Sequence, residues 1–328
     1  MRHSGSEKLE IIRLVEESEL PVVATLRELG VPRSTFYGWY RRYKERGAAG
    51  LLDRHSGPGF HWNRIPEPAR QQVVDTALEH PEVSPRELAW QITDTQGYFI
   101  SESSVYRILK RCDLITSPAY IVMSASDRFQ HPTRRVNELW QTDFTYFRVV
   151  GWGWYYLSTV LDDYSRYIIA WKLFQTMAAS DVQETLDLAL EVTGITYPQQ
   201  VRHRPRLLSD NGPCYVSHEL KDYLRAQGLE HTRGAPYHPM TQGKIERYHR
   251  SMKNVVKLEN YYYPWELEQA IGEFVEHYNH HRYHESLNNV TPADVYFGRD
   301  QQILSRRAHI KQTTLARRRI ENLRTGVV

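Results

Sequence analysis

The chain has 328 residues, of which 41% are hydrophobic and 25% charged, a balance that excludes a disordered polypeptide. No apolar run approaches the roughly 18 residues of a membrane span, and the opening MRHSGSEKLE has no apolar signal core, so neither membrane insertion nor secretion is expected. The net charge of +3 conceals an asymmetry: from Arg299 onward eight basic residues stand against two acids. Residues 299–328 therefore read as a basic tail, either for a polyanion or simply a solvated terminus. Cys112 and Cys214 match no zinc or disulfide spacing and read as reduced thiols of a cytoplasmic chain.

Residues 7–29 carry apolar side chains at helical spacing, Gly30 breaks the pattern, and VPRSTFYGWYRRYKERG follows. Helix, short helix, turn, helix is the layout of a helix-turn-helix, assigned to residues 1–52. Ser34, Thr35 and Tyr37 open the last helix, where base edges are met; Arg33 stands beside them. Arg41, Arg42 and Lys44 lie further on and suit phosphates. A plain helical hairpin with a solvated basic face has the same pattern.

Residues 53–64 (DRHSGPGFHWNR) read as a linker, with Arg54 and Arg64 placed to enter a minor groove. The helical layout recurs over 65–116, with Ser84 and Ser101 as expected N-caps and Pro85 at the first helical position. In this second helix-turn-helix, or winged-helix-like, domain Ser103, Tyr106, Arg107 and Lys110 are expected to face DNA. A further linker is expected over 117–136.

From Glu138 the pattern turns extended. ELWQTDFTYFRVV, WYYLSTVLDDYS and RYIIAWKLFQ read as an antiparallel meander. A helix, the strand RLLS, a second helix, a short strand and a last helix follow, which predicts an α/β core over 137–260 with a mixed five-stranded sheet. A helical extension (261–298) precedes the tail. Its crowded His277, His280, His281 and His284 lack a cysteine partner and read as packing residues rather than zinc ligands.

Three acids in this core call for an explanation. Asp143 stands inside the first strand, where an unpaired carboxylate is costly. Asp210 ends the fourth strand before Asn211-Gly212-Pro213, and Glu246 lies one turn into the last helix. Turn chemistry alone accounts for an Asp before Asn-Gly, because that pair tolerates left-handed backbone. If strands one and four are neighbours, however, Asp143 and Asp210 meet at one sheet edge and the helix brings Glu246 to it. Convergent carboxylates without a Cys/His cluster favour Mg²⁺ or Mn²⁺, and two such ions suit in-line displacement at a phosphodiester. Asp162 and Asp163, at the end of the second strand, read as structural, and Lys244 and Arg247 as surface charges.

With these residues in place the chain resembles the retroviral-integrase-like transposases of bacterial insertion sequences. The words WQTDFTY, LDDYSRYIIAW, LLSDNGPCY, HPMTQGKIERYHRSMK and YNHHRYHESLNNVTPADVY carry the likeness. So does the spacing of Asp143, Asp210 and Glu246, the last two separated by 35 residues. The resemblance implies a ribonuclease-H-like core with those acids as catalytic metal ligands. It implies cleavage of terminal inverted repeats and strand transfer of the 3′-hydroxyls into target DNA, by a multimer acting on double-stranded DNA in the bacterial nucleoid. It also implies that Arg250 and Lys253 hold DNA phosphates, since retroviral integrases place basic residues at similar offsets; His249, three residues after Glu246, is read as touching DNA or positioning Glu246. A transposase-derived regulator without catalysis and a nuclease that only cuts are the alternatives. The leucine-zipper heptads of some relatives are not evident here.

Overall fold

The computed structural model describes residues 3, 5–18, 20–52, 61–112, 114–115, 133–195, 204–234 and 243–325. The chain divides into two compact units, Met1–Trp62 with Thr325–Val328, and Asn63–Arg324. In the first, helices α1 (Gly5–Glu17), α2 (Val22–Glu28) and α3 (Arg33–Arg46) are followed by a 3-10 turn over Gly47–Leu51. Ile12, Leu26, Phe36, Trp39 and Leu51 meet in its core. The helical periodicity read over 7–29 thus belongs to two helices, and Gly30 closes the second with φ +65°. Gly50 lies against Arg42: a Cβ there would stand 2.3 Å from the Arg42 carbonyl oxygen, so only glycine fits.

The second unit opens on α4 (Glu67–Glu79), α5 (Pro85–Gln96) and α6 (Glu102–Arg111), packed around Val73, Leu88, Ile92, Ile100, Val105 and Leu109. Ser84 caps α5 in a reciprocal pair with Glu87, as its sequence position predicts. Ser101 holds the N-cap position of α6, but its hydroxyl pairs with that of Ser104 (2.9 Å) and makes no side-chain cap bond.

The sheet follows: β1 (Leu139–Val149), β2 (Gly153–Asp162), β3 (Ile168–Phe174), β4 (Arg206–Ser209) and β5 (Glu230–Arg233). Their order is β3-β2-β1-β4-β5, with β1–β2 and β2–β3 antiparallel and β1–β4 and β4–β5 parallel. Alternation along β1 sends Phe147 and Val149 into one core and Trp140 into the other. The first core is covered by α10 (Gly243–Val256) and α11 (Pro264–His280), the second by α7 (Ala179–Thr193) and α9 (His218–Gln227), with the short α8 (Pro213–Val216) beside it. This is the expected mixed five-stranded sheet between helical layers. Cys112 and Cys214 are unpaired.

After α12 (Pro292–Tyr296) the chain ends in one long helix, α13 (Asp300–Thr325). The basic tail expected over 299–328 is therefore ordered through Thr325, and two of its arginines are core residues. Arg307 and Arg318, 4% and 3% exposed, lie with buried Thr314 at helical spacing on one face. Arg307 donates to both carboxylate oxygens of Asp94 (2.8 and 2.5 Å) and to the Asn289 carbonyl (2.8 Å), and lies over the Trp90 ring. Arg318 donates to the Tyr98 hydroxyl and the Phe99 carbonyl, and Thr314 accepts from the Phe99 amide. These bonds join α13 to the α5–α6 segment, which sequence reading had treated as a domain apart. Net charge cannot distinguish a planar guanidinium seated in a polar socket from one that is solvated.

His284 is held neutral, its pKa lowered to about 3 by burial and then by nearby Arg282, Arg166, Arg86 and Arg247. Among the described residues no group of three His, Cys, Asp or Glu side chains is arranged to hold a metal ion, and no helix is long and apolar enough to cross a membrane.

Two measurements test this packing. Arg307→Met should lower unfolding free energy by about 3 kcal/mol in urea titrations, because it leaves the Asp94 carboxylate without its partner; Arg307→Lys should restore little, lacking the two-pronged geometry. His284 binds a proton more readily unfolded than folded. Its stabilisation is complete above about pH 6.5 and is lost as pH falls toward 3, by up to about 1.4 kcal/mol per unit. Urea midpoints at pH 7 and 5 should converge in His284→Phe relative to the unsubstituted chain.

Candidate active site

The site begins with strand register. Gln141 on β1 pairs with Leu208 on parallel β4. Asp143 and Asp210 each stand two residues further along, so Asp143, within β1, lies level with Asp210 just past the end of β4. The two carboxylates sense one another: Asp210 is pushed above its ordinary range first by burial and then by the charge of Asp143, against the opposing pull of the Gly212 amide.

Gly212 completes this end of β4. Its N–H donates to Asp210 Oδ1 (2.8 Å), and a Cβ on it would sit 3.0 Å from that same oxygen. The backbone is not left-handed, since Gly212 has φ −59° and heads the short α8. The left-handed backbone that Asn-Gly tolerates is thus not used, but the Asp turn is: the Asp210 carboxylate accepts from the amide two residues on, and a Cβ at Gly212 would crowd it. Asn211 donates its side-chain amide to the Gly234 carbonyl (2.8 Å), which ties the ends of β4 and β5.

Helix α10 is pinned across β1 at two points. At its start, the Ile245 amide donates to Gln141 Oε1 (3.2 Å). Lys244, whose side chain is 9% exposed, donates to Asp163 Oδ2 (2.6 Å) and to the Asp163 carbonyl (3.0 Å). Asp163 also accepts from Gln141 Nε2 (2.7 Å) and the Thr133 hydroxyl (2.6 Å). One turn later, His249 Nδ1 lies 3.4 Å from Asp143 Oδ2. The expectation that Lys244 is a surface charge is corrected by this network, and Asp163 is its acceptor. Asp162 is also structural: buried, it accepts from the Asn137 and Ser165 amides, and burial raises its pKa. Gln141 and Thr133 carried no signal in the sequence beyond being polar near a strand start.

The remaining candidates divide by exposure. Glu246 and Arg250 are exposed on α10, and Lys253 is partly so. His249 is 5% exposed, and its Nε2 has no hydrogen-bond partner among the described residues. It faces Asp143 rather than a DNA-accessible surface, because position i+3 from Glu246 falls on the inward side beside Tyr248. Asp143 and Asp210 are brought together, but Glu246 is not gathered with them into a metal-holding trio among the described residues. The donor set fits a hard divalent cation: two like-charged oxygen donors, one destabilised by desolvation, form a pair that a cation would relieve.

On α3, Arg33, Ser34, Thr35, Tyr37, Arg41 and Lys44 are exposed and Arg42 partly so. On α6, Ser103, Arg107 and Lys110 are exposed, and Lys110 lies 5.9 Å from the Tyr106 ring centroid. Arg64 is exposed, its carbonyl accepting from Asn322. Arg54 lies outside the described residues.

Family models match this architecture in order. Helix-turn-helix domain covers residues 7–59, homeodomain-like domain 35–109, and integrase core domain 133–239 and again 227–292. A putative transposase for insertion sequence element IS986/IS6110 of Mycobacterium tuberculosis is 26% identical over 267 residues, spanning 72% of this chain and 91% of that protein. The Pol-related polyprotein of the mouse intracisternal A-particle is 33% identical over 117 residues, 35% of this chain. The chain spans only 12% of that polyprotein's length. Among solved structures, the magnesium-bound catalytic core of HTLV-2 integrase (dimeric form) aligns with 49% of this chain and 97% of its own, at 18% identity and a TM-score of 0.38. A simian T-cell lymphotropic virus intasome chain aligns with 65% and 74%, at 20% identity and a TM-score of 0.42.

The Lys244–Asp163 pair gives a direct test of how α10 is held. Lys244→Met should cost about 3 kcal/mol in urea unfolding, the scale for one partner of a buried pair. Adding Asp163→Asn should return part of that loss, giving a coupling energy of at least about 1 kcal/mol in the double-mutant cycle.

Proposed function

We propose that this chain, an integrase-core protein with helix-turn-helix domains ahead of the core, similar to bacterial insertion-sequence transposases, is itself a DNA transposase of the DDE type. It binds the terminal inverted repeats of its element, cleaves at their 3′ ends and joins those ends to target DNA. The observation that carries this reading is the register of β1 against β4, which sets Asp143 and Asp210 side by side under a helix that bears Glu246.

In this reading Asp143, Asp210 and Glu246 hold the divalent cations, Mg²⁺ or Mn²⁺ and two per site. When bound, these ions supply charge neutralisation for the attacking and leaving oxygens of phosphodiester exchange. The protein's own part is positioning. The Gly212 amide and the His249 ring orient the two aspartates, and the Lys244–Asp163–Gln141 network fixes the helix that presents Glu246. Arg250 and Lys253, four and seven residues after Glu246, fall on its helix face and hold phosphates of the DNA end. No covalent protein intermediate is needed, because a 3′-hydroxyl replaces water as nucleophile in the joining step. The helix-turn-helix segments supply the address: α3 and α6 read two successive stretches of each repeat, and two ends are brought together by self-association of the chain. The protein acts in the bacterial cytoplasm, where its DNA lies.

A labelled duplex carrying the element's own terminal repeat, incubated with full-length protein and Mg²⁺ or Mn²⁺, tests this. A nick at the repeat boundary and longer joined products are expected. Asp210→Asn should reduce both by roughly 10²-fold or more, the scale for removing one preorganised charge-stabilising group, while repeat binding persists. Nicking without joined products would favour a nuclease that only cuts, and binding without any metal-dependent product a regulator.

A further inference from the structure

Beside the candidate active site, β1 and β2 carry aromatic rings that the fold leaves open. Alternation turns Tyr146 and Arg148 outward while Phe147 and Val149 go into the core. Trp154 pairs across the hairpin with Arg148, so it lies on the same outward face. The Tyr146 and Trp154 rings meet edge to face with centroids 5.4 Å apart, and each residue is about half exposed (49% and 51%). Over the Tyr146 ring stand two ammonium groups, Lys253 of α10 at 4.7 Å and Lys257, just past the end of that helix, at 5.6 Å from its centroid. None of Arg148, Lys253 and Lys257 makes a salt bridge among the described residues.

We propose that Tyr146, Trp154, Lys253 and Lys257 form a stacking site for unpaired DNA nucleotides next to the reacting end. This rests on the reading of the chain as a transposase and adds a ligand that the reading does not require. Three arguments select the occupant. Cations that no salt bridge neutralises call for a polyanion, whereas the centre of a protein–protein interface is depleted of lysine, which disfavours a second copy of the chain. Half-exposed rings offer a π-surface to a base, and a duplex buries its base faces and offers only base edges and phosphates. An unpaired strand supplies both a free base face and a phosphate, the pairing that sequence-independent single-strand sites use. The position suits the chemistry as well. Tyr146 is three residues from Asp143 on one strand, about 10 Å away, or roughly three steps of duplex rise. Alternation turns Asp143 and Tyr146 to opposite faces of β1, and Lys253, on the Glu246 helix, links them: it lies over the Tyr146 ring and within electrostatic reach of Asp143.

The experiment uses full-length protein and two probes of about 20 nucleotides, oligo(dT) and a mixed-sequence duplex. Affinities are measured by fluorescence anisotropy, and an oligo(dT) bearing one 5-iododeoxyuridine is photocrosslinked and mapped by mass spectrometry. Tyr146→Ala and Trp154→Ala should each weaken oligo(dT) binding about tenfold, as loss of one stacking ring does, and weaken duplex binding by distinctly less. Trp154→Phe should recover most of the affinity, and the crosslink should fall on the β1–β2 hairpin. Equal losses on both probes, a crosslink elsewhere, or a change in sedimentation with no change in oligo(dT) affinity would overturn the site, the last by making this face a self-association surface. Wild-type protein that binds duplex but not oligo(dT) overturns the site and leaves the transposase reading intact. Binding of oligo(dT) with no cleavage of repeat DNA does the reverse.

Discussion

Two carboxylates held side by side repel each other, and the groups around Asp143 and Asp210 answer to that repulsion. Strand pairing places them there: once Gln141 is bonded in register with Leu208, the residues two steps on must share one sheet edge. Asp210 shows the consequence, shifted upward by burial and by its neighbour. A structural role would be better served by an amide or hydroxyl, which would bring no repulsion to this edge. In the proposed reading a bound cation relieves that repulsion, and oxygen donors suit a hard one.

The third acid depends on a helix, and helices need anchoring as strands do not. Asp163 sits at the end of β2, accepts from Gln141 on β1 and takes the Lys244 ammonium from the start of α10. Gln141 in turn accepts from the Ile245 amide, one of the N-terminal donors that a helix leaves unsatisfied. A single polar cluster therefore fixes two strands and one helix terminus at the edge where chemistry is expected. Such a network holds geometry strongly when complete and becomes a liability when one member is lost, since every remaining group is buried.

How much of this was legible in the sequence depends on the kind of signal. Asp143 announced itself as an acid within a β-branched and aromatic run, and Asp210 as an acid closing one; both are local anomalies. The mixed sheet followed from runs with distinct periods. Lys244 was misread because nothing local marks a lysine two residues before Glu246 as buried; its partner lies 81 positions away. The burial of His249 was hidden for a similar reason. Offsets along α10 locate it near Glu246, but only the packing of Tyr248 and the position of Asp143 decide that its ring turns inward. The clearest failure was the basic tail. Arg307 and Arg318 look like their exposed neighbours in sequence, and what separates them is a socket built from Asp94, Trp90, Tyr98 and Phe99, more than 200 residues earlier.

That socket bears on how recognition and chemistry are joined within the Asn63–Arg324 unit. A helix-turn-helix on a flexible tether would find its DNA but leave the cleavage position loosely set, because tether fluctuations exceed one base-pair step. Here α5 is bonded to α13 through Asp94 and to the segment after α11 through Tyr283 and Glu285. The α6 helix packs on α5 in the same small core. In the proposed reading, a DNA contact made by α6 would be transmitted through these packed elements rather than through the intervening chain. Removing positional freedom in this way would favour reaction at one phosphate over its neighbours, since misplacement by about 1 Å costs about 10²-fold in rate. Buried arginines are a costly way to build a joint, yet their several directional donors suit a joint that must set distance rather than merely hold.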